Sequence, residues 1–153
     1  MTENSNIYVT NIENETKQNS FFRKVLFTSC NQQLVVMSIK PNKDVPLEIH
    51  PTVDQFIRIE EGNCKIFTGK EQKYEHELTE NMVAIVPANT WHRIVNTSKD
   101  KYLKLYTLYS PPNHPRGEID VDNPEQTGGI YLMRNDKNRK NTIFELKKMN
   151  YIY

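Results

Sequence analysis

Residues 45–62, VPLEIHPTVDQFIRIEEG, decide the fold of this chain. The side chains of a strand point alternately to its two faces, so Glu48 and His50 share one face. In the run that begins at Gln55, the same rule places Gln55 with Ile57 and Ile59, above an apolar floor. The segment therefore predicts strands that direct three polar side chains toward the interior of a sheet structure.

Short β-branched or aromatic segments separated by turn residues continue from residue 7 to about residue 110, a pattern typical of a sandwich or barrel. We predict ten strands, at residues 7–12, 24–28, 34–40, 47–50, 55–60, 64–68, 74–78, 82–86, 91–96 and 102–109. Helical periodicity is nearly absent from this region. Because 153 residues suit one domain with one core, we expect an all-β chain built on one small antiparallel β-barrel.

Residues 110–117, SPPNHPRG, contain too many prolines to continue a central strand. We therefore predict a barrel domain at residues 1–117 and a C-terminal extension at residues 118–153. In the extension, two apolar runs flank a polar stretch. A terminal hairpin, a short helix ending at Tyr153, and a tail ordered only by a partner all agree with this pattern.

A second segment with ligand chemistry lies at residues 90–96, where strand alternation places His92 on the same face as Ile94. Two imidazoles, one carboxylate and one amide are thereby predicted to converge from separate strands. We expect Glu48, His50, Gln55 and His92 to bind one divalent metal ion. Nitrogen and oxygen ligands without a thiolate suit zinc, iron, manganese or nickel, and the ligand types do not choose among these metals.

The spacing of these residues resembles the two motifs of the cupin family, G-x5-H-x-H-x(3,4)-E-x6-G and G-x5-P-x-G-x2-H-x3-N. The residues on the two motifs are Asn42, Glu48, His50, Gln55 and Gly62, and then Asn81, Pro87, Asn89, His92 and Asn96. Glu48 replaces the first motif histidine, and Gln55 replaces the motif glutamate. Three motif glycines are asparagines, which tolerate left-handed turn geometry, so we expect the turns to be preserved.

The match extends to VPANTWHRIVNTS and LKLYTLYSPPNHPRG, and over residues 7–118 the chain resembles small microbial cupins of the mannose-6-phosphate-isomerase-like subgroup. The resemblance implies a double-stranded β-helix, or jelly-roll barrel, with a small-molecule substrate or ligand inside it. It also implies a homodimer, formed by sheet packing or by exchange of the N-terminal strand.

Charge and composition indicate no nucleic-acid or membrane partner. The net charge of +1 arises from acidic and basic residues interleaved along the chain, so no strong field is available to attract nucleic acid or anionic lipid. No apolar run approaches the roughly 20 residues of a membrane-spanning helix. The start, MTENSNIYV, lacks the features of a signal peptide. We therefore expect a cytoplasmic protein.

The remaining side chains with chemical potential are interpreted as structural. His76 and His114 lie in polar contexts and are expected at the surface. Strand packing is expected for Trp91, Tyr102, Tyr106 and Tyr109, and an exterior position for Arg58 and Arg93. Cys30 and Cys64 are expected to be reduced core or strand residues, since neither belongs to a C-x-x-C pair.

Three functions are compatible with these features. The first is a metal-dependent isomerase of a small carbohydrate or sugar phosphate, in which the metal polarises a carbonyl and Glu48 is the only candidate for proton transfer. The second is an iron-dependent dioxygenase. The third is a non-catalytic, metal-stabilised binding or assembly module that uses the C-terminal extension as its contact surface.

Overall fold

The structure, a computed structural model, describes residues 7–124 and contains one helix and ten strands in this range. The elements are α1 (Ile12–Gln18), β1 (Arg23–Thr28), β2 (Gln33–Ile39), β3 (Asp44–Glu48), β4 (Asp54–Glu61), β5 (Cys64–Thr68), β6 (Tyr74–Leu78), β7 (Val83–Val86), β8 (His92–Asn96), β9 (Leu103–Ser110) and β10 (Ile119–Asp120). Nine of the ten predicted strands are present as β1–β9, with ends that differ by at most three residues.

The strands form two antiparallel sheets. The larger sheet has the order β10-β1-β2-β9-β4-β7, and the smaller one has the order β3-β8-β5-β6. Apart from the consecutive pairs β1–β2 and β5–β6, neighbours within each sheet are distant in sequence, as expected when strands cross between two layers of a jelly roll. The predicted all-β jelly-roll fold is confirmed.

The core lies between the two sheets and follows the alternation of each strand. In β9 every second residue is buried, including Leu103, Leu105 and Tyr109, while the residues between them are partly exposed. Ile57 and Ile59 of β4 are fully buried on the same inner face, as predicted. Burying one such side chain contributes about 2 kcal/mol, so this continuous inner face supplies most of the stabilisation of the barrel.

The first predicted strand is wrong, because residues 7–11 form no strand and helix α1 follows them. Asn11 caps the helix with its side-chain oxygen, which accepts a hydrogen bond from the backbone nitrogen of Asn14 at 3.0 Å. Ile7 and Val9, whose β-branched side chains suggested a strand, are 78% and 86% exposed. Both residues have β propensity, but no sheet face is available to bury their side chains. The local structure is therefore determined by the capping and docking of helix α1.

The asparagines that replace motif glycines adopt left-handed backbone geometry. Asn42, Asn81 and Asn89 have φ values of 58°, 67° and 62°, as predicted from their motif positions. Gly62 has a φ of 92°, and a Cβ atom there would lie 3.0 Å from the carbonyl oxygen of Tyr102. Gly62 therefore needs both the conformational freedom and the small size of glycine.

The two cysteines are free thiols, as predicted. Cys64 is buried in β5, and burial raises the pKa of its thiol to about 12. Cys30 is exposed in a turn, so its assignment as a core or strand residue is wrong.

The chain continues along the barrel beyond the predicted boundary at residue 117. β10 pairs with β1, and Asp120 accepts a hydrogen bond of 2.7 Å from the buried guanidinium of Arg23. The predicted extension thus begins in contact with the large sheet, while residues 125–153, with the three alternatives offered for them, lie outside the described residues. Within residues 7–124, no helix is long and apolar enough to cross a bilayer.

Candidate metal centre

Three segments bring the four predicted ligands to one end of the barrel. Glu48 is the last residue of β3, and His50 follows it by two positions. Gln55 lies at the start of β4 in the opposite sheet, and His92 is the first residue of β8, opposite Glu48 in the strand pairing. The exposed fraction of each of these residues is 6% or less. The site is therefore built from both sheets and shielded from solvent.

The polar atoms of the four side chains converge. Oε1 of Glu48 lies 3.3 Å from Nε2 of His50 and 3.3 Å from Nε2 of His92. Nε2 of His92 lies 3.0 Å from Oε1 of Gln55. One potential ligand atom from each of Glu48, His50 and His92 can be chosen so that all three lie within 4.8 Å of one another. The structure thus places the four residues together, whereas their binding of a metal remains a prediction.

The amide of Gln55 is oriented by two hydroxyl groups. Its Nε2 donates to Oγ1 of Thr107 at 3.1 Å and to the hydroxyl of Tyr109 at 3.3 Å. Both acceptors lie on β9, the neighbour of β4 in the large sheet. Because the two N–H groups of the amide are directed toward β9, its oxygen faces the cluster.

The imidazole of His92 is oriented in a similar way. Its Nδ1 lies 2.9 Å from the carbonyl oxygen of Thr90, which can only accept, so Nδ1 carries a proton and donates it. In the neutral ring, Nε2 then presents a lone pair to Glu48 and Gln55. Acceptor atoms that face one another in a buried space require a cation or a proton between them.

The pKa values of the cluster residues also indicate that a cation or a proton is favoured beside the carboxylate. Burial alone would raise the pKa of the Glu48 carboxyl, but the hydrogen bonds and charges of His50 and His92 outweigh burial and hold that pKa well below its ordinary value. Burial would lower the pKa of His92, but Glu48 raises it by more. The cluster therefore favours positive charge beside a carboxylate that remains ionised.

The donor set fits a divalent metal ion. Two imidazole nitrogens, one carboxylate oxygen and one amide oxygen are borderline to hard ligands of the kind that bind zinc, iron, manganese and nickel. Nδ1 of His50 is buried and has no hydrogen-bond partner among the described residues. His50 thus lacks an outer hydrogen-bond partner of the kind that Thr90 provides for His92.

Two further residues border the cluster, and the sequence interpretation missed their position. The ring of Tyr109 lies edge-on to His50, with 5.7 Å between the centroids, and His114 lies 5.0 Å beyond Tyr109. The surface position predicted for His114 is wrong, because the imidazole is buried. Burial lowers the pKa of His114, although the carboxylate of Glu118, 3.2 Å from its Nδ1, opposes that shift.

Gln33 explains why a histidine in a proline-rich segment is buried. Its side-chain oxygen accepts from the backbone nitrogen of His114 at 2.8 Å, and its Nε2 donates to the carbonyl oxygen of His114 at 2.7 Å. Gln33 is completely buried and lies opposite Tyr109 in the pairing of β2 and β9. Gln33 lies just before the predicted strand 34–40, and its partner is distant in sequence, so the sequence offered no signal for this contact.

Trp91 and Tyr102, both predicted as strand-packing residues, each lie one residue before the start of a strand. Tyr102 is 42% exposed, so its assignment to strand packing is wrong.

The remaining predicted positions agree with the structure. His76 is exposed, and Tyr109 is a buried strand residue. Arg58 lies on the outer face, where it donates to Glu60, and Arg93 donates to Asp44 at 2.6 Å. Neither arginine enters the cluster.

A jelly-roll barrel with a buried carboxylate, two imidazoles and an amide defines a class of small β proteins with a candidate metal centre. The sequence profile of the cupin domain matches residues 35–109, which contain all four cluster residues. The chain belongs to the cupin family, because this match is joined by relatives of high identity that extend over most of its length.

Two curated relatives and one solved structure illustrate the relationship. Uncharacterized protein L612 of Acanthamoeba polyphaga mimivirus is 53% identical over 130 residues, which are 84% of this chain and 81% of the relative. Uncharacterized protein YrkC of Bacillus subtilis is 43% identical over 115 residues, or 73% of this chain, and the chain spans only 61% of YrkC. The crystal structure of BH2720 from Bacillus halodurans is 39% identical, has a TM-score of 0.74, and is matched over 78% of this chain and 92% of its own.

Proposed function

We propose that this cupin is a metal-dependent protein that binds a small organic molecule at a divalent ion held by Glu48, His50, Gln55 and His92. The observation that supports the proposal is the convergence of acceptor atoms in a buried space, with the hydrogen-bond donors of Gln55 and His92 directed away from it. Such an arrangement favours a cation. The donor set suits zinc, iron, manganese or nickel.

The activity that we favour is isomerisation of a hydroxy-aldehyde or hydroxy-ketone, in line with the resemblance to mannose-6-phosphate-isomerase-like cupins. A metal bound at this centre would polarise the carbonyl and stabilise an enediolate. As a ligand, Glu48 is a compromised base for the accompanying proton transfer. The neighbouring groups Tyr109 and His114 are better suited to that step.

Tyr109 and His114 have complementary protonation states. Burial raises the pKa of the Tyr109 phenol, and the charge of Glu48 adds to that shift, so the phenol retains its proton. Burial lowers the pKa of His114, so its imidazole is available to accept a proton near neutral pH. Two adjacent groups whose pKa values are moved apart in this way can serve as a proton donor and a proton acceptor. We propose these roles for Tyr109 and His114.

An iron-dependent dioxygenase is the second candidate. Glu48, His50 and His92 form a set of two histidines and one carboxylate, the ligand combination of non-haem iron oxygenases. Gln55, as a neutral and weaker ligand, would leave a coordination position exchangeable. Iron dependence and consumption of oxygen would distinguish this activity from isomerisation.

Metal binding is tested first, by calorimetric titration of the metal-depleted protein with zinc, iron(II), manganese and nickel. We expect one ion per chain. Glu48→Gln should weaken binding by about 100-fold, since it removes the negative charge of the site. Glu75→Gln, which changes an exposed carboxylate on β6, is the control and should bind as the wild type does.

Catalysis is then tested on the metal-loaded protein. Hydroxy-aldehydes and hydroxy-ketones, both free and phosphorylated, are incubated in deuterated water, and exchange of the α-proton is followed by NMR without oxygen. Isomerase activity predicts exchange that is lost in His114→Gln, a variant that should retain metal affinity. Absence of exchange together with iron-dependent oxygen uptake would support the dioxygenase instead.

A further inference from the structure

A cavity of about 570 Å³ opens at the gap between β6 and β7, the edge strands of the two sheets. No hydrogen-bonded pairing joins these two strands among the described residues, so the barrel is open along this side. Inward-facing residues of three strands form half of the wall, among them Ile66, Leu78, Ala84 and Val86. The cavity is thus a lateral entrance to the barrel with a mainly apolar wall.

The wall of this cavity is directly connected to the candidate metal centre. Thr68 is the strand partner of His92, and Val86 is the strand partner of Gln55. Thr90, which also lines the cavity, supplies the carbonyl oxygen that orients His92. A molecule in the cavity therefore lies beside the two ligands that come from opposite sheets.

The charge of the wall distinguishes this cavity from others on the molecule. No lysine or arginine of residues 7–124 lines it, and Glu77 contributes a carboxylate. Two other cavities contain lysines, Lys40 and Lys43 in one, and Lys17, Lys101 and Lys104 in the other. No cluster residue lines any of the three cavities, but only the lateral cavity contains strand partners of His92 and Gln55. A phosphate dianion is bound best by lysine, arginine or several N–H donors together, whereas the wall beside the centre offers no lysine or arginine and one imidazole, that of His76.

One polar pair lies within the apolar wall. Oγ1 of Thr68 is 3.3 Å from Nε2 of His76, which lies on the inward side of β6 opposite Ile66. His76 and His92 are separated by two strand spacings, from β8 across β5 to β6, and by two residues along the strands, which together amount to about 12 Å. The cavity therefore combines an apolar wall with one polar pair, and Thr68 of that pair lies beside His92 of the candidate metal centre.

We infer that this cavity binds the substrate, and that the substrate is an uncharged hydroxy-carbonyl compound with an apolar body and no phosphate. Its oxygen atoms are bound at the metal centre, and a second polar group contacts His76 and Thr68. The inference rests on the proposed function and narrows its substrate class from sugars and sugar phosphates to compounds without a phosphate. It also assigns a binding role to the exposed His76.

The test uses a matched pair of probes, 2-hydroxyacetophenone and its phosphate ester. Each is titrated into metal-loaded protein, with binding measured by calorimetry and located by changes in the backbone amide NMR signals. We expect the neutral probe to shift the signals of Thr68, Ala84 and Val86 and to bind about tenfold more tightly than the ester. The inference is overturned if the ester binds equally well or if the shifts lie elsewhere.

Two variants test whether the probe binds in this cavity. His76→Leu should weaken the neutral probe about fivefold without changing metal affinity, since it removes one hydrogen-bonding group. Ala84→Phe should abolish probe binding by filling the cavity, and its thermal unfolding shows whether it is folded. Glu75→Gln, on the outer face of the same strand as His76, is the control.

The outcomes separate the two proposals. If no divalent metal binds to the wild type, the proposed function fails. If the metal binds but His76→Leu and Ala84→Phe both bind the probe as the wild type does, the substrate inference alone fails.

Discussion

Gln55 is the residue at which this site departs most from the cupin motif, because an amide replaces a carboxylate. An amide has one ligand oxygen, so its orientation matters, whereas the two oxygens of a carboxylate are equivalent. Thr107 and Tyr109 accept the two N–H groups of Gln55 and direct its oxygen toward the cluster. The hydroxyl groups on β9 thus compensate for the loss of symmetry.

This orientation leads to a prediction for the metal affinity. Thr107→Val should weaken metal binding about tenfold, because the Gln55 amide then loses one of the acceptors that fix its orientation. Thr107→Ser, which keeps the hydroxyl, should bind as the wild type does. In a Gln55→Glu background, Thr107→Val should have less effect, since the carboxylate needs no such orientation. Equal effects of Thr107→Val in both backgrounds, measured by calorimetry, would contradict the role assigned to Thr107.

Asn42 permits a second prediction at the residue scale. Its φ of 58° is accessible to glycine and asparagine but costs other residues about 1–2 kcal/mol. Asn42→Ala should therefore lower the free energy of unfolding by about 1 kcal/mol, and Asn42→Gly by less than about 0.5 kcal/mol. Urea denaturation measures both values. A larger loss for glycine than for alanine would show that the side chain, and not the backbone geometry, matters at this turn.

At the scale of elements, β10 joins the start of the predicted extension to the barrel. Its Asp120 pairs with Arg23, whose side chain is 3% exposed, so removal of the carboxylate leaves a buried guanidinium with fewer partners. We expect Asp120→Ala to lower the free energy of unfolding by about 2–3 kcal/mol. Asp122→Ala is the control, because the pair of Asp122 with Lys40 is about half exposed and screened by solvent, so it contributes little to stability. Equal losses in the two variants would exclude a special role for the buried pair.

The secondary-structure elements also show which parts of the fold are determined by local sequence patterns. The strands from 23 to 110 could be predicted from alternation and turn residues, because most of them have one face that the opposite sheet buries. The edge strand β6, exposed except at Leu78, was predicted from its flanking turns and its β-branched and aromatic neighbours in sequence. Helix α1 could not be predicted from local patterns, since its seven residues depend on the Asn11 cap and on docking against the large sheet. The burial of His114 was equally inaccessible, because Gln33, 81 residues away, determines it.

The position of the candidate metal site was more predictable than its surroundings. Strand parity and motif spacing brought Glu48, His50, Gln55 and His92 into one cluster, because each lies on the inner face at the end of a strand or just beyond it. The side chains around them, Thr107, Tyr109 and His114, come from β9 and the segment after it. Their position next to the site depends on the order of strands in the sheet, which cannot be read from the periodicity of the sequence.

At the scale of the whole molecule, the homodimer remains a proposal. The outer face of the large sheet carries apolar side chains near its β7 edge, where Phe56 stacks on Tyr106 and lies opposite Ile85, which is 68% exposed. Because residues 7–11 form no strand, we favour sheet packing over exchange of an N-terminal strand. A second copy would remove this apolar surface from water.

Sedimentation equilibrium tests the dimer. We expect the wild type to be dimeric and Ile85→Glu to be monomeric, since the substitution places a charge in the proposed interface. Tyr74→Glu changes a residue of similar exposure on the smaller sheet and should leave the dimer intact. A monomeric wild type would contradict the proposal, as would an Ile85→Glu variant that remains dimeric.

The central claim is that the buried cluster binds a metal ion, and one measurement tests it most directly. A crystal of the metal-loaded protein, with diffraction recorded on both sides of the absorption edge of the added metal, locates that metal by its anomalous signal. The account predicts one peak per chain within bonding distance of Glu48, His50, Gln55 and His92. No peak at the cluster, or a peak bound only by surface residues, would contradict it.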